Sequence, residues 1–170
     1  SFTRTTSLND NLIPLQMRKL IFFLAFNVWC LYVVAQNADS IWIVNNYTKM
    51  ERLITMRDGI KLFTSIYVPK DSSEDHPVLL YRTPYSCRPY GEDNYFKFWN
   101  NYQKVYLREG YIFVWQDVRG RWMSEGDFED VRPFNPDKKT DKNIDEASDT
   151  YDVIDWLIRN IPHNNGKVGV

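Results

Sequence analysis

Between Tyr111 and Val170 the chain alternates a strand pattern, a helix pattern and a strand pattern, and this constrains the fold more than any other feature. Tyr111 to Trp115 (YIFVW) is a continuous apolar run, as expected of a strand covered on both faces. In Asp145 to Ile161 the residues Ala147, Tyr151, Ile154, Leu157, Ile158 and Ile161 recur at helical spacing and predict one apolar stripe. Asp145, Glu146 and Asp149 crowd the first turn, where unpaired backbone N–H groups favour negative charge. Pro162 ends that helix, Asn164-Asn165-Gly166 reads as a turn, and Lys167 to Val170 begins another apolar strand. Strands that alternate with helices predict an α/β fold, a mostly parallel sheet built from right-handed crossovers.

Upstream the pattern is β-hairpin-like. Thr48 to Met56 and Lys61 to Val68 are strand patterns separated by Arg57-Asp58-Gly59, and Asp-Gly between two such runs is a strong hairpin signal. Val78 to Tyr81 is a short buried-strand pattern. Asn94 to Glu109 carries Tyr95, Phe98, Trp99, Tyr102, Val105 and Tyr106 at helical spacing, with Gly110 placed just past a helix end. Arg132 to Lys142 reads as a solvated loop. The predicted order is hairpin, strand, helix, strand, helix, strand. A length of 170 residues bounds this to one domain. A net charge of -1 gives no electrostatic draw toward nucleic acid or anionic membranes.

The first residues have a different character. Residues 1–16 are polar and aperiodic and read as an upstream unstructured segment. Met17, Arg18 and Lys19 then lead into an apolar run from Leu20 to Ala35. A basic start, a run of this length and small residues near its end predict a signal peptide over 17–35, with the mature domain over 36–170 and a secreted or periplasmic destination. The alternative is an uncleaved membrane anchor, but the run is short of the roughly 20 residues that span a bilayer. After cleavage Cys87 would stand alone, so no disulfide framework is implied, and a buried or loop thiol fits it better than a nucleophile.

The loop Asp117-Val118-Arg119-Gly120-Arg121-Trp122-Met123-Ser124-Glu125-Gly126 follows a buried strand, at the end of a parallel sheet where ligands bind. Arg119 and Ser124 are candidates for that crevice. The reading preferred here is structural: Asp117 and Arg119 tie the loop by charge-assisted hydrogen bonds, and no base accompanies Ser124. No metal-ligand spacing occurs among the His, Cys, Asp and Glu residues, and no cofactor is implied.

Several motifs, in order, carry a family resemblance: Met56-Arg57-Asp58-Gly59-Ile60-Lys61-Leu62, Arg82-Thr83-Pro84-Tyr85, Gln116-Asp117-Val118-Arg119-Gly120-Arg121, Ser124-Glu125-Gly126, Asp149-Thr150-Tyr151-Asp152 with Asp155-Trp156-Leu157, and Asn165-Gly166-Lys167-Val168-Gly169. From about Tyr47 to Val170 the chain resembles the X-Pro dipeptidyl-peptidase-like serine hydrolases, which include cocaine esterase, α-amino-acid ester hydrolases and glutaryl cephalosporin acylases. The resemblance implies the N-terminal part of an α/β-hydrolase fold, stopping before the Gly-x-Ser-Tyr-x-Gly elbow that bears the nucleophile. Chain order Ser, Asp, His in that fold excludes His76 and His163 from the triad. It further implies that Tyr85 corresponds to the family tyrosine whose hydroxyl helps form the oxyanion hole. Without the resemblance, Tyr85 reads as a strand cap with its ring in the core.

Two functions follow as expectations. The first is the N-terminal portion of an exported serine hydrolase acting on a small ester, amide or peptide substrate, inactive on its own because its triad lies beyond Val170. The second is a secreted, non-enzymatic binding module built on the same half-domain.

Overall fold

The computed structural model describes residues 14–97, 101–130 and 132–170. In chain order the elements are α1 (Leu15–Asn46), β1 (Tyr47–Thr55), β2 (Lys61–Pro69), β3 (His76–Thr83), α2 (Asn101–Arg108), β4 (Ile112–Asp117), α3 (Glu146–Asn160) and β5 (Asn164–Gly169). The chain divides into two compact units, Ser1–Asp39 and Ser40–Val170. In the first, α1 runs through the segment expected to be a leader, and its backbone is helical at the expected cleavage point, Ala35. Phe22, Phe23 and Phe26 are exposed there. Among the described residues no helix is long and apolar enough to cross a membrane. The expected upstream segment lies almost wholly outside the described residues.

The second unit is an α/β sheet of five strands in the order β1-β2-β4-β3-β5. β1 and β2 form the expected antiparallel hairpin, paired from Tyr47↔Pro69 to Thr55↔Lys61. Its turn closes with Gly59 N–H donating to the Met56 carbonyl at 2.9 Å, and Gly59 sits at φ +91, a conformation that favours glycine. β2 pairs β4 antiparallel, while β3 runs parallel to both β4 and β5.

Side-chain alternation sorts the core onto two faces. Ile112 and Val114 of β4, with Val78 and Leu80 of β3, meet Val153 and Leu157 of α3. Phe113 and, partly buried, Trp115 and Leu79 point the other way, toward Tyr47, Tyr67, Leu107 of α2 and Ile43 of α1. The apolar run predicted to be covered on both faces is therefore covered on both.

Three features differ from the sequence reading. The helix expected over Asn94–Glu109 is observed as Asn101–Arg108, and Asn94–Lys97 is not helical. Its backbone groups are diverted: the Lys49 ammonium takes the Asn94 carbonyl at 2.9 Å, and Phe96 N–H donates to the Tyr67 hydroxyl at 3.2 Å. Phe98 and Trp99 lie outside the described residues. The end of α2 is as expected, with Gly110 at φ +75 and Tyr111 N–H reaching back to the Tyr106 carbonyl at 3.0 Å.

α3 keeps only part of its predicted apolar stripe: Leu157 and Ile161 are buried and Ile154 packs against the core. Ala147, Tyr151 and Ile158 are exposed, and the inward line is Asp149, Val153 and Leu157. A buried ion pair on Asp149 and a capping box on Asp145 and Ser148 turn this side inward. Finally, Asn164-Asn165-Gly166 does not separate α3 from a later strand. It lies inside β5 as an irregularity, the Asn164 and Asn165 side chains accepting from Gly166 N–H and Lys167 N–H at 3.1 and 3.0 Å.

Candidate functional site

β3 and β4 end level with one another, Thr83 opposite Asp117. In a parallel sheet this carboxyl edge is where ligands bind. Two loops leave it, Pro84–Tyr90 after β3 and Val118–Gly126 after β4, and they are tied together. Val118 N–H donates to the Thr83 carbonyl at 3.2 Å. The Pro84 carbonyl accepts from Trp122 Nε1 at 2.9 Å and Arg121 Nε at 3.2 Å. Asp117, fully buried, accepts from Cys87 N–H at 2.8 Å and the Tyr90 hydroxyl at 2.9 Å.

This geometry sets the local electrostatics. Burial, aided by the Asp117 carboxylate it donates to, pushes the Tyr90 phenol up to about 12. Burial and then the same carboxylate drive the Cys87 thiol well above its ordinary value. A protonated, 5% exposed thiol is a packing group and not a nucleophile.

Ser124 is likewise committed to structure. Its hydroxyl donates to the Asp117 carbonyl at 2.6 Å and accepts from Phe63 N–H at 2.8 Å. Arg119 does not open onto a crevice: it is 4% exposed and bonded at both ends. Its Nε and a terminal nitrogen donate to Asp149 at 3.0 and 2.6 Å, and its terminal nitrogens donate to Asp58 at 2.8 and 3.2 Å. Burial disfavours that charge, and the two carboxylates more than reverse the effect, so the guanidinium holds its proton more firmly than usual. One cation thus links the hairpin turn, the β4 exit loop and α3. Gly120 completes the loop at φ +69, where a Cβ would lie 2.1 Å from the Phe128 backbone nitrogen.

Arg82, first residue of the Arg-Thr-Pro-Tyr motif, ties β3 to the start of α3 through the Glu146 carboxylate at 2.8 Å and the Thr150 hydroxyl at 2.9 Å. His76 is buried with Nε2 3.0 Å from the Asp71 carbonyl, and His163 lies 3.8 Å from Asp75, neither near the carboxyl edge of β3.

Tyr85 stands out by contrast. Its N–H donates to Thr83 Oγ1 at 3.0 Å, which fixes the bend, yet its side chain is 84% exposed. Among the described residues its hydroxyl has no hydrogen-bond partner. The ring does not pack in the core, contrary to the strand-cap alternative. A cavity of about 310 Å³ nearby, lined by Tyr67, Tyr81, Trp115, Ser86 and Cys87, opens on the aromatic face and does not include Tyr85. Among the described residues no group of three His, Cys, Asp or Glu side chains is gathered to hold a metal ion.

Sequence reasoning missed two contributors. Trp122 donates to the Pro84 carbonyl from a backbone at φ +51, and nothing in the sequence announces that conformation. Lys49, fully buried in β1, donates to the carbonyls of Pro89, Gly91 and Asn94 and so anchors the far end of the Tyr85 loop. A charged residue alternating with Tyr47 on the core-facing side was its only signal.

Residues 58–170 match the model of the X-Pro dipeptidyl-peptidase (S15 family). The chain is 32% identical over 110 residues to a cocaine esterase from Rhodococcus sp. (strain MB1 Bresler), covering 62% of this chain and 16% of that one. Among solved structures it is similar to an aminopeptidase from a marine sediment archaeon (Thaumarchaeota archaeon), with 38% identity and TM-score 0.61 over 72% of this chain and 20% of that one. A selenomethionine-labelled α-amino acid ester hydrolase is 40% identical with TM-score 0.60, over 73% of this chain and 20% of that one. The chain therefore spans about a fifth or less of the length of these relatives. With residues 58–170, about two thirds of the chain, matched by that family's model, the chain belongs to the X-Pro dipeptidyl-peptidase family S15.

Proposed function

We propose that the chain is the opening part of the catalytic domain of a serine hydrolase that cleaves amide or ester bonds, with Tyr85 supplying a hydrogen bond to the oxyanion. The observation that carries this reading is the exposed Tyr85 phenol at the carboxyl edge of β3, on a loop tied down at Pro84, Cys87 and Tyr90. In the reaction a serine hydroxyl attacks the substrate carbonyl carbon, and a histidine takes its proton and passes it to the departing alcohol or amine. Water then releases the acyl group as an acid. Tyr85 acts in both steps by donating to the carbonyl oxygen as that oxygen gains charge. A phenol with no hydrogen-bond partner among the described residues can turn its hydroxyl toward such an oxygen.

The serine, acid and histidine are proposed to lie beyond β5, so that the chain alone is inactive. The substrate is a small acyl ester, amide or peptide. The apolar run at Leu20–Ala35 after Arg18 and Lys19 supports an exported protein, with residues 17–35 as the leader.

The test is Tyr85→Phe in the whole enzyme, assayed with a p-nitrophenyl ester. The expected outcome is a loss of about 10²–10³ in kcat with little change in KM. An unchanged kcat removes Tyr85 from the chemistry. Ester turnover by the 170-residue chain alone would contradict its proposed inactivity.

A further inference from the structure

We propose that Trp122 and Asp117 are positioning residues for the Tyr85 hydroxyl, holding the bend that carries it from both sides; this rests on the reading of Tyr85 as the oxyanion donor. Tyr85 is 84% exposed, and its hydroxyl has no partner among the described residues, so the backbone bend sets the point from which the phenol reaches. That backbone is held on either side. Before Tyr85, Trp122 Nε1 donates to the Pro84 carbonyl at 2.9 Å. After it, the Asp117 carboxylate takes Cys87 N–H at 2.8 Å and the Tyr90 hydroxyl at 2.9 Å. Ser86 between them is at φ +89, a strained conformation for a residue with a side chain, and it persists only where its surroundings hold it.

Trp122 touches the loop on both sides of Tyr85, sharing the Pro84 carbonyl with Arg121 Nε at 3.2 Å. Its indole N–H holds Pro84, while the Arg88 guanidinium lies 4.6 Å from its ring centroid. Pro84 and Arg88 flank Tyr85, so one half-exposed side chain spans the segment whose placement sets the hydroxyl. Small displacements of a group that acts in the transition state lower rate steeply. Because the two residues act through the donor and do not touch substrate, their removal lowers kcat and spares KM.

The test is a double-mutant cycle in the whole enzyme on a p-nitrophenyl ester, with Trp122→Phe, Tyr85→Phe and the pair. Trp122→Phe keeps an aromatic ring to face Arg88 while removing the indole donor. Loss of one neutral hydrogen bond corresponds to about a three- to tenfold drop in kcat, with KM within twofold. In the Tyr85→Phe background the Trp122→Phe drop should vanish. Asp117 is buried, and its replacement threatens folding, so Asp117→Asn is a supporting variant, expected to behave in the same way if it melts like the parent. A Trp122→Phe drop that persists at full size without the Tyr85 hydroxyl, or no drop at all, overturns the proposal. If Tyr85→Phe itself retains the parent kcat, the reading of Tyr85 fails first, and the positioning proposal falls with it.

Discussion

Replacing Arg119 with methionine should destabilise the protein by about 3–5 kcal/mol, the range for removing one partner of a buried ion pair. The structure places it in that range. Arg119 is 4% exposed and makes four hydrogen bonds to two carboxylates. Without it, Asp149, only 1% exposed, faces a single other cation among the described residues, Arg82, at 3.7 Å, beyond hydrogen-bond range. Asp58 retains the Ile60 N–H at 3.3 Å and some solvent, which limits the loss on that side. Equilibrium urea unfolding should show a midpoint about 2 M lower, given a slope of about 2 kcal/mol per molar. Arg119→Met combined with Asp149→Leu removes the stranded carboxylate and should be less destabilised than Arg119→Met alone. A single variant within about 1 kcal/mol of the parent, or a double variant worse than the single, refutes the view that this ion pair clamps hairpin, loop and α3.

Acid sensitivity should trace in part to Asp145. Burial would raise this carboxyl, but the Lys138 ammonium at 2.7 Å and the amides of Asn135 and Ser148 hold it well below the ordinary range. A depressed folded value stabilises the fold above the unfolded value of about 3.9, and that stability is lost as pH falls toward the folded one. Asp145→Asn keeps a capping side chain but not the charge, so its melting temperature should fall less steeply than the parent's below about pH 4; an identical acid slope contradicts this. Cys87 should resist iodoacetamide at pH 8 in the native protein and react once unfolded, read by mass spectrometry of its peptide. Fast native labelling at Cys87 would show that the Tyr85 loop is not packed as described.

Legibility in the sequence followed the range of the interaction. The hairpin was visible because Asp58-Gly59 is a local steric signal, and the Schellman-type end of α2 because Gly110 is another. Strand β4 was visible because both of its faces are buried, which writes an unbroken apolar run. The inward side of α3 was legible only in part: Ile154, Leu157 and Ile161 face the core as expected, while Ala147, Tyr151 and Ile158 do not. Its direction is decided by Asp149 pairing with Arg119, thirty positions earlier, and an apolar count gives an aspartate no weight. The early start assigned to α2 failed similarly, since Lys49 and Tyr67 claim the Asn94 and Phe96 backbone groups from across the sheet. At the site, Asp117 and Arg119 were legible as ties because charged residues after a buried strand need partners. Tyr85 was singled out by resemblance alone. That its ring stands in solvent, and that Trp122 clamps the bend from a backbone at φ +51, no residue pattern predicts.

The most direct measurement is to label the whole enzyme with a fluorophosphonate and locate the modified serine by mass spectrometry. If this sheet is the opening half of a catalytic domain, the label sits in a Gly-x-Ser-Tyr-x-Gly bend within about ten residues after β5, and its uptake slows in Tyr85→Phe. A label on Ser124, a label far from the end of β5, or no label on an enzyme that turns over ester contradicts the account.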